Sequence, residues 1–411
     1  MRIHFATCDW AQGVFEDDGI AVMGGSGHAR VLLPGRYLRR AGHTVLDGVL
    51  VVQGFPDGSR SLGIADTNQR AHVDCDILVL QRYMEQSVID AVKTYKKHGG
   101  VIINDVDDHF WKLDPRNSAA ISTDPRNNPT NNRDHYKEIL KLSDLITVTT
   151  PYLYAEMKKM CPQTEVIVIE NAVDLERYET KMSDDAGKEP VLGWVGAQAW
   201  RSGDLEYVSW AVKSFCEKYG IHFHHSGLME SNDEIREKIK ILETHGVEAL
   251  PPENWILADR VSWFKSAGEI MGLKDESAEP MCRISEYPRM FKHFDVGIVP
   301  LNPVQFNLAK SNLKGLEYSA AGIPFVASRF GEYIRTNEKY GFGLIPDGTH
   351  KTARKEARFW EQKLELLLDP NFRQEEREKN LAIVQQHYDM GKRWKDWEDV
   401  YKAKLRGEKV G

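Results

Sequence analysis

Short apolar runs with β-branched residues alternate with segments of helical periodicity along most of the chain. This alternation is typical of α/β domains that contain parallel sheets. It begins again after a polar stretch at 175–190, which carries Gly and Pro and predicts an interdomain linker. The runs predicted as strands are 2–8, one starting with the GHTV segment at 42–45, 76–81, 101–105, 145–149, 166–169, 191–196, 221–226, 295–301 and 324–328.

Helices are predicted between these strands and in the tail. Residues 112–135 are rich in Asn, Pro, Asp and Arg without periodicity, and predict a long mobile loop. Residues 229–282 predict a helix followed by an inserted connection that carries Trp and Pro. The helical segments are 29–41, 87–98, one after Pro151, 205–219, 233–244, 312–322, 354–368, 371–387 and 393–405.

Length and composition set the broad class of the protein. The 411 residues, 41% hydrophobic and 28% charged, suit two domains of about 150–200 residues. A net charge of -7 gives no global support for binding to nucleic acids or anionic membranes. The five cysteines are scattered without a CxxC pair, which predicts reduced thiols and a cytoplasmic protein. The sequence predicts neither a transmembrane segment nor a signal peptide.

The segment 294–331 carries the strongest functional pattern, which reads as strand, polar loop, helix and strand. Lys310, Ser311 and Asn312 stand where the helix begins. A helix N-terminus beside a lysine favours anions, because free N–H groups and the helix dipole both attract negative charge. Glu317 follows one to two turns into the helix, where a carboxylate can hold sugar hydroxyls. The pattern indicates a nucleotide-sugar pocket.

This segment resembles the donor-site motif of retaining glycosyltransferases of family 4, which have the GT-B fold. The resemblance implies an α/β protein with two Rossmann-like domains that face an interdomain cleft. It also implies that the helix N-terminus cradles the donor diphosphate and that Glu317 binds the nucleotide ribose. The family usually has a second glutamate eight positions earlier, where this chain has Ala309.

The same resemblance implies how the domains are divided. Residues 1–176 would form the acceptor-binding domain and residues 190–388 the domain that binds the nucleotide sugar. Residues 389–411 would form a last helix that crosses back onto the first domain. Trp394, Trp397 and Tyr401 are spaced as one apolar helical stripe and suit that packing.

Four titratable residues follow the strand at 101–105, namely Asp105, Asp107, Asp108 and His109. Carboxylates at the C-terminal ends of parallel strands face the ligand crevice of α/β folds. Three interpretations stay open from the residues: a DxD metal site for Mg or Mn, acceptor handling by a carboxylate or imidazole, and an N-capped turn. Family 4 enzymes often have a histidine here and some have a DD pair, which favours acceptor handling. The predicted catalytic residues are Asp107, Asp108, His109, Lys310 and Glu317.

The glycine-rich loop at 24–27 precedes a helix. A dinucleotide fingerprint would place its third glycine at Arg30 and would need the loop directly after the first strand. Asp47, near the end of the second strand, keeps a dinucleotide site open, and a plain flexible loop is the other alternative. Family 4 enzymes also have a glycine-rich loop here, which implies that Gly25 borders the donor phosphates.

Further donor contacts are predicted in the second half. Gly196 and Gly227 end two strands and let a ligand approach the backbone. Arg201 suits a diphosphate, with an ordinary surface arginine as the alternative. The segment RISEYP at 283–288 lies against the nucleobase in the resembled family, with an ordinary loop and helix start capped by Ser285 as the alternative. The residues predicted to bind the donor are Gly25, Gly196, Arg201, Gly227, Ile284, Tyr287, Ser311, Asn312 and Leu313.

Two further motifs are predicted to be mainly structural. His222 and His224 share a face of one strand and, with His225, suggest a metal site. No cysteine or carboxylate lies at ligand spacing along the sequence, so histidines of the core or crevice are predicted instead. The segment 171–174 resembles the NGVD motif of family 4, with alanine in place of glycine, and predicts a turn into the linker.

The predicted reaction moves a sugar from a UDP- or GDP-linked donor to an acceptor hydroxyl with retention of anomeric configuration. We expect no metal and no cofactor beyond this co-substrate, and activity in EDTA, because cations and helix N–H groups stabilise the leaving diphosphate. The acceptor stays open among glycan, lipid, protein and modified nucleic acid, as does peripheral membrane contact. The alternatives are a DxD metal-dependent glycosyltransferase, a Rossmann-type NAD(P) oxidoreductase, and a binding protein or epimerase.

Overall fold

The protein is described by a computed structural model that covers residues 1–15, 21–23, 25–54, 60–65, 71–72, 74–114, 117–123, 131–184, 187–231, 233–251, 261–348 and 353–410. Two separate sheets, each covered by helices, form its frame. The predicted strand–helix alternation is therefore confirmed as a mixed α/β architecture.

The first sheet has eight strands in the order β10-β9-β8-β7-β1-β4-β5-β6. The strands from β10 to β4 are parallel, whereas β4, β5 and β6 pair in antiparallel fashion. A small hairpin of β2 and β3 follows the first strand. The strands are β1 (Arg2–Thr7), β2 (Trp10–Phe15), β3 (Ala21–Met23), β4 (Thr44–Gly54), β5 (Arg60–Ala65), β6 (Ala71–His72), β7 (Ile77–Gln81), β8 (Val101–Val106), β9 (Leu145–Val148) and β10 (Val166–Val168).

The second sheet has five parallel strands in the order β13-β12-β11-β14-β15. Its central strands are almost continuously apolar and buried, as expected when helices cover both faces. The strands are β11 (Leu192–Val195), β12 (Phe223–Leu228), β13 (Glu276–Pro280), β14 (Val296–Val299) and β15 (Phe325–Ala327).

Helices connect the strands and form the tail. A π-helical turn, His28–Leu32, joins α1 to α2, and 3-10 turns lie at Phe110–Lys112, Leu175–Arg177, Gln198–Trp200, Val247–Ala249 and Tyr287–His293. The helices are α1 (Gly25–Gly27), α2 (Leu33–Arg40), α3 (Gln86–Lys97), α4 (Ser118–Thr123), α5 (Asn132–Leu142), α6 (Pro151–Met160), α7 (Asp204–Tyr219), α8 (Asp233–His245), α9 (Ala267–Met271), α10 (Gln305–Leu308), α11 (Leu313–Ala320), α12 (Glu332–Tyr340), α13 (Ala353–Leu366), α14 (Pro370–His387) and α15 (Met390–Leu405).

The last helix, α15, packs on the first sheet rather than on the second. Trp397 and Tyr401 are buried in one apolar cluster with Phe5 and Leu38, and Trp394 packs against its edge. The prediction that the C-terminal helix crosses back to the first domain is confirmed. None of the described helices has both the length and the apolar composition needed to cross a bilayer.

Three sequence predictions were wrong in part. No strand was predicted between the first strand and the glycine-rich loop, where the hairpin β2–β3 forms, and Gly24 of that loop lies outside the described residues. The expected loop at 112–135 contains α4 and the start of α5, because Tyr136 is buried against Trp111 at a ring distance of 5.4 Å and anchors the helix. The connection predicted in the region 229–282 contains β13, a polar edge strand that forms through its pairing with β12.

Candidate functional site

The C-terminal ends of both sheets meet, and polar side chains from the two halves touch there. Lys310 Nζ, ahead of α11, lies 2.7 Å from Asp108 Oδ1, just after β8. Asn171 Nδ2, beyond β10, donates to Ser311 Oγ over 2.8 Å. The hydroxyl of Thr150, after β9, donates to the Ala309 carbonyl over 3.3 Å. These contacts define an interdomain cleft, which is where α/β folds bind their ligands.

Arg82 organises the first-domain side of this cleft. It is one of the described non-glycine residues with a positive φ, 64°, a conformation that usually marks a functional or strained site. Its guanidinium donates to Asp107 over 3.2 and 2.6 Å and to Asp9 over 2.7 Å. Burial opposes the charge on Arg82, but Asp107, Asp9 and Asp108 together raise its pKa well above the ordinary value. Burial alone would raise the pKa of Asp107, yet Arg82 lowers it, so Asp107 stays ionised.

Asp105 points away from the cleft into the core of the first domain. It forms a buried ion pair with Arg30, at 2.8 Å, and accepts a hydrogen bond of 2.6 Å from Thr147. Asp105 therefore pairs with Arg30, Asp107 with Arg82, and Asp108 with Lys310 and, at 3.6 Å, also with Arg82. A DxD metal site requires its carboxylates to converge on one point, and these three do not.

His109 also separates from its sequence neighbours. Its ring is buried between Trp111 and Tyr152, and Nε2 lies 3.5 Å from Glu156 Oε2. Neither ring nitrogen makes a hydrogen bond within the described part of the chain. Burial lowers the pKa of His109, so the imidazole is neutral near pH 7. A neutral, unsatisfied imidazole can donate or accept one hydrogen bond to a ligand.

Lys310 and Arg201 supply positive charge on the second-domain side. Burial lowers the pKa of Lys310, and Asp108 opposes that shift. Arg201 follows the 3-10 turn after β11 and is close enough to Lys310 to repel its charge. Its guanidinium makes no hydrogen bond or ion pair with any residue that the structure describes. Two cations that repel each other in a half-buried cleft are suited to bind a polyanion.

The N-terminus of α11 lies beside these cations. Asn312 is the N-cap residue, but its side chain makes no capping bond. Its buried Nδ2 has no hydrogen-bond partner among the described residues. The nearby Leu313 N–H lies 3.4 Å from Ser311 Oγ, a weak contact. The helix start therefore presents poorly satisfied donors next to Lys310, which is the arrangement that an anion completes.

Glu317 lies one turn further along α11, within a small polar cluster. Its Oε2 accepts hydrogen bonds of 2.9 Å from Tyr287 Oη and from Lys314 Nζ. Burial lowers the pKa of Lys314, while Glu317 opposes that shift. The structure thus brings together Glu317 and Tyr287, which the sequence predicted separately. The neighbouring Ile284 carbonyl accepts a hydrogen bond from Arg177.

The two strand-end glycines lie against each other. A Cβ at Gly227, where φ is +115°, would lie 2.8 Å from the Gly196 carbonyl oxygen, so a side chain would not fit. A Cβ at Gly25, by contrast, would meet nothing within 4 Å. Gly227 therefore allows the backbone to pass close to Gly196, whereas close packing does not explain Gly25.

No protein-family model matches the sequence, and no curated protein is significantly similar to it. Solved structures do share its architecture. Sucrose-phosphate synthase from Thermosynechococcus elongatus superposes with a TM-score of 0.60 at 12% identity, over 99% of this chain and all (100%) of that one. HepE from Anabaena, in complex with UDP and glucose, has a TM-score of 0.60 at 13% identity, over 98% of this chain and 100% of that one. The catalytic domain of starch synthase IV from Arabidopsis thaliana, bound to ADP and acarbose, has a TM-score of 0.55 at 12% identity, over 98% and 99% of the two chains.

The chain has the GT-B fold. Several residues at its GT-B cleft were missed by the sequence analysis. Arg82 and Lys314 carried no motif, and Asn171 was interpreted mainly as part of a turn. Arg30, which pairs with Asp105 in the core of the first domain, was considered only as a mismatch to a glycine fingerprint. Each lies within a few residues of the end of a predicted strand or helix, and this position was the one signal in the sequence that could have indicated a role at the site.

Asp204 was also missed, although it lies beside the cations of the GT-B cleft. It begins α7, and its Oδ1 accepts hydrogen bonds of 2.8 Å from the Asn302 N–H and from Asn307 Nδ2. Burial raises the pKa of Asp204 to about 6, against the opposing charge of Arg201. The charge of the cleft therefore changes in mildly acidic solution.

Proposed function

We propose that the protein is a glycosyltransferase of the retaining, family 4 type, which moves a sugar from a nucleoside-diphosphate sugar to an acceptor hydroxyl. The arrangement of Lys310, Arg201 and the α11 N-terminus, with Glu317 one turn beyond, is the observation that carries this proposal. It matches the needs of a donor with two phosphates and a ribose. The fold supports it, since HepE binds UDP and starch synthase IV binds ADP on similar frames.

The cations would act mainly on the leaving group. When the bond between the anomeric carbon and the diphosphate breaks, negative charge grows on the phosphate oxygens. Lys310, Arg201 and the N–H groups at Asn312 and Leu313 would lie near those oxygens and stabilise the charge as it develops. A second domain that closes on the donor would exclude water and limit hydrolysis.

The first domain would hold the acceptor. When a diphosphate engages Lys310, Asp108 would be left with the more distant Arg82, 3.6 Å away, and its carboxylate would face the reacting sugar. Asp107, fixed by Arg82, would keep the local field negative, and the unsatisfied His109 ring would contribute one hydrogen bond. The acceptor proton leaves as the new glycosidic bond forms, so that the products are the glycoside, a nucleoside diphosphate and a proton.

A thermal-shift screen of UDP-, GDP- and ADP-linked sugars, with NAD(H) and NADP(H) as comparison ligands, tests this proposal. A bound donor raises the unfolding temperature because it binds only the folded state. We expect a shift with one class of nucleotide sugar, and a loss of affinity of about tenfold or more in Lys310→Ala and Glu317→Gln. The matched control is Lys218→Ala, whose ammonium group pairs at the surface with Glu365. Stabilisation by NAD(H) without any response to nucleotide sugars would reject the proposal in favour of an oxidoreductase.

A further inference from the structure

A second polar cluster lies in the C-terminal domain, apart from the residues assigned to the donor diphosphate. It comprises His224 of β12, Glu279 of β13 and His293 at the end of the 3-10 segment Tyr287–His293. One ligand atom of each residue lies within 4.8 Å of the others. Among the described residues, this is the one such group of histidine, cysteine and carboxylate side chains. We propose that it binds a divalent transition metal ion of the zinc class.

The separations of the ligand atoms fit such an ion. His224 Nε2 lies 3.6 Å from Glu279 Oε1, and His293 Nε2 lies 3.3 Å from Glu279 Oε2. Zinc–nitrogen and zinc–oxygen bonds of about 2.0–2.2 Å place neighbouring ligands of a tetrahedral site about 3.3–3.6 Å apart. Small side-chain rotations would therefore bring the three atoms around one ion.

The hydrogen bonds around the cluster orient two of its ligands. His224 Nδ1 lies 2.8 Å from Ser277 Oγ, and when it donates to that oxygen its Nε2 keeps a free lone pair. That Nε2 is buried, on a residue only 9% exposed, and has no hydrogen-bond partner in the described structure. Ser226 Oγ donates to Glu279 and fixes its carboxylate. An unsatisfied buried nitrogen that faces a carboxylate is explained by an ion between them.

The chemistry of the ligands selects the class of ion. Two imidazoles and one carboxylate suit Zn²⁺ and related ions, whereas Mg²⁺ and Ca²⁺ prefer oxygen ligands. The exposed fractions of the side chains rise from 11% at His224 to 30% at Glu279 and 49% at His293, so an ion can enter from the His293 side. A water molecule would take the remaining position.

The position of the cluster indicates a structural role. The ion would join the edge strand β13 and its neighbour β12 to the end of the segment that begins at Tyr287. Tyr287 in turn donates to Glu317 over 2.9 Å. The ion would thus fix the segment that borders the donor pocket without contacting the reacting atoms. Removal of the ion is expected to lower thermal stability and to leave the chemical step intact.

Zinc binding by the full-length, tag-free protein tests this proposal. Protein stripped with EDTA and dialysed would be titrated with Zn²⁺ against a chromogenic chelator, and Co²⁺ would report the ligand geometry by its visible absorption. We expect about one equivalent of bound zinc and a higher unfolding temperature with the ion. His293→Ala and Glu279→Gln should each weaken binding by about tenfold or more.

Two control variants separate this cluster from other ligands. His245→Ala removes an exposed histidine of α8, and Cys282→Ser removes an exposed thiol near Glu279. Both should keep the zinc affinity of the original protein. Zinc binding that survives in His293→Ala and Glu279→Gln, that disappears in Cys282→Ser, or that is not measurable in the unaltered protein would overturn the assignment.

Discussion

Replacement of Asp108 by Asn tests the electrostatic account of the cleft directly. Lys310 Nζ lies 2.7 Å from Asp108 Oδ1, and the two side chains are only 17% and 13% exposed. A donor diphosphate must compete with this carboxylate for the ammonium group. Asp108→Asn removes the competing charge and preserves the shape of the side chain. We therefore expect the variant to bind nucleoside diphosphates more tightly than the original protein.

The size of the effect follows from the surroundings of the pair. Unit charges 4 Å apart attract by about 4 kcal/mol at an effective dielectric constant of about 20. Only part of this energy changes, because Arg82 Nη2 lies 3.6 Å from the other oxygen of Asp108 and shares its charge. The asparagine also keeps a hydrogen bond to Lys310. A net change of about 1–2 kcal/mol, or a factor of about 5–30 in affinity, is expected.

Isothermal titration calorimetry with UDP, GDP and ADP measures this change. The matched control is Glu365→Gln, which removes a negative charge from an exposed pair with Lys218, 2.9 Å apart. The control should bind as the original protein does. Unchanged or weaker binding by Asp108→Asn would refute the idea that Asp108 and the diphosphate compete for Lys310. Transfer by the same variant should be slower, since the proposed orientation of the sugar needs the carboxylate.

Other predictions concern pH, buried charge and metal. Burial raises the pKa of Asp204 from its ordinary value of 3.8 to about 6. Between pH 3.8 and about 6, the folded state therefore holds a proton that the unfolded state has lost. The free energy of unfolding should therefore fall by up to about 3 kcal/mol as pH rises from about 4 to about 6. Chemical denaturation of Asp204→Asn should show that this pH dependence is removed. A variant with the same pH profile as the original protein would contradict the prediction. Arg30→Met leaves Asp105 charged and buried and should destabilise the protein by about 3–5 kcal/mol. The double variant Arg30→Met with Asp105→Asn should recover part of this loss, as measured by urea unfolding. Equal stability of the original protein, the single variant and the double variant would contradict the assigned ion pair. Sugar transfer should continue in EDTA at temperatures where the protein stays folded, and its abolition there would favour a metal-dependent reaction.

The fold was largely predictable because its strands and helices differ in hydrophobic period. The β11 and β14 strands are nearly continuous apolar runs, and α11 ends where Gly322 adopts a positive φ of 76°. The elements that were missed depend on contacts between distant residues. The polar strand β13 forms because β12 offers it an edge, and α5 is anchored by the buried side chains of Tyr136, Ile139 and Leu140. The local pattern of apolar and polar residues along the chain does not contain these long-range contacts.

The candidate site was predictable only where a motif lies at the end of one element. Lys310, Ser311 and Glu317 share one loop and helix, so their spacing predicts their proximity. The titratable residues at the end of β8 show the opposite case. Asp105, Asp108 and His109 are near in sequence, but alternation along a strand and the following turn sends them to the core, the cleft and an aromatic pocket. The directions of Asp105 and Asp108 depend on the cations Arg30 and Lys310 elsewhere in the fold. The direction of His109 depends on its aromatic neighbours Trp111 and Tyr152.

The two polar clusters of the C-terminal domain meet at one short segment. Tyr287 begins it and is hydrogen-bonded to Glu317, whereas His293 ends it beside Glu279. A change at either end should therefore affect the other, because Tyr287 and His293 are the two ends of one seven-residue 3-10 helix whose Phe291 is buried in the domain core. An ion at His293 would restrict the position of Tyr287 before the donor arrives. Such restriction lowers the entropy that donor binding must overcome, so zinc and nucleotide should each strengthen the binding of the other.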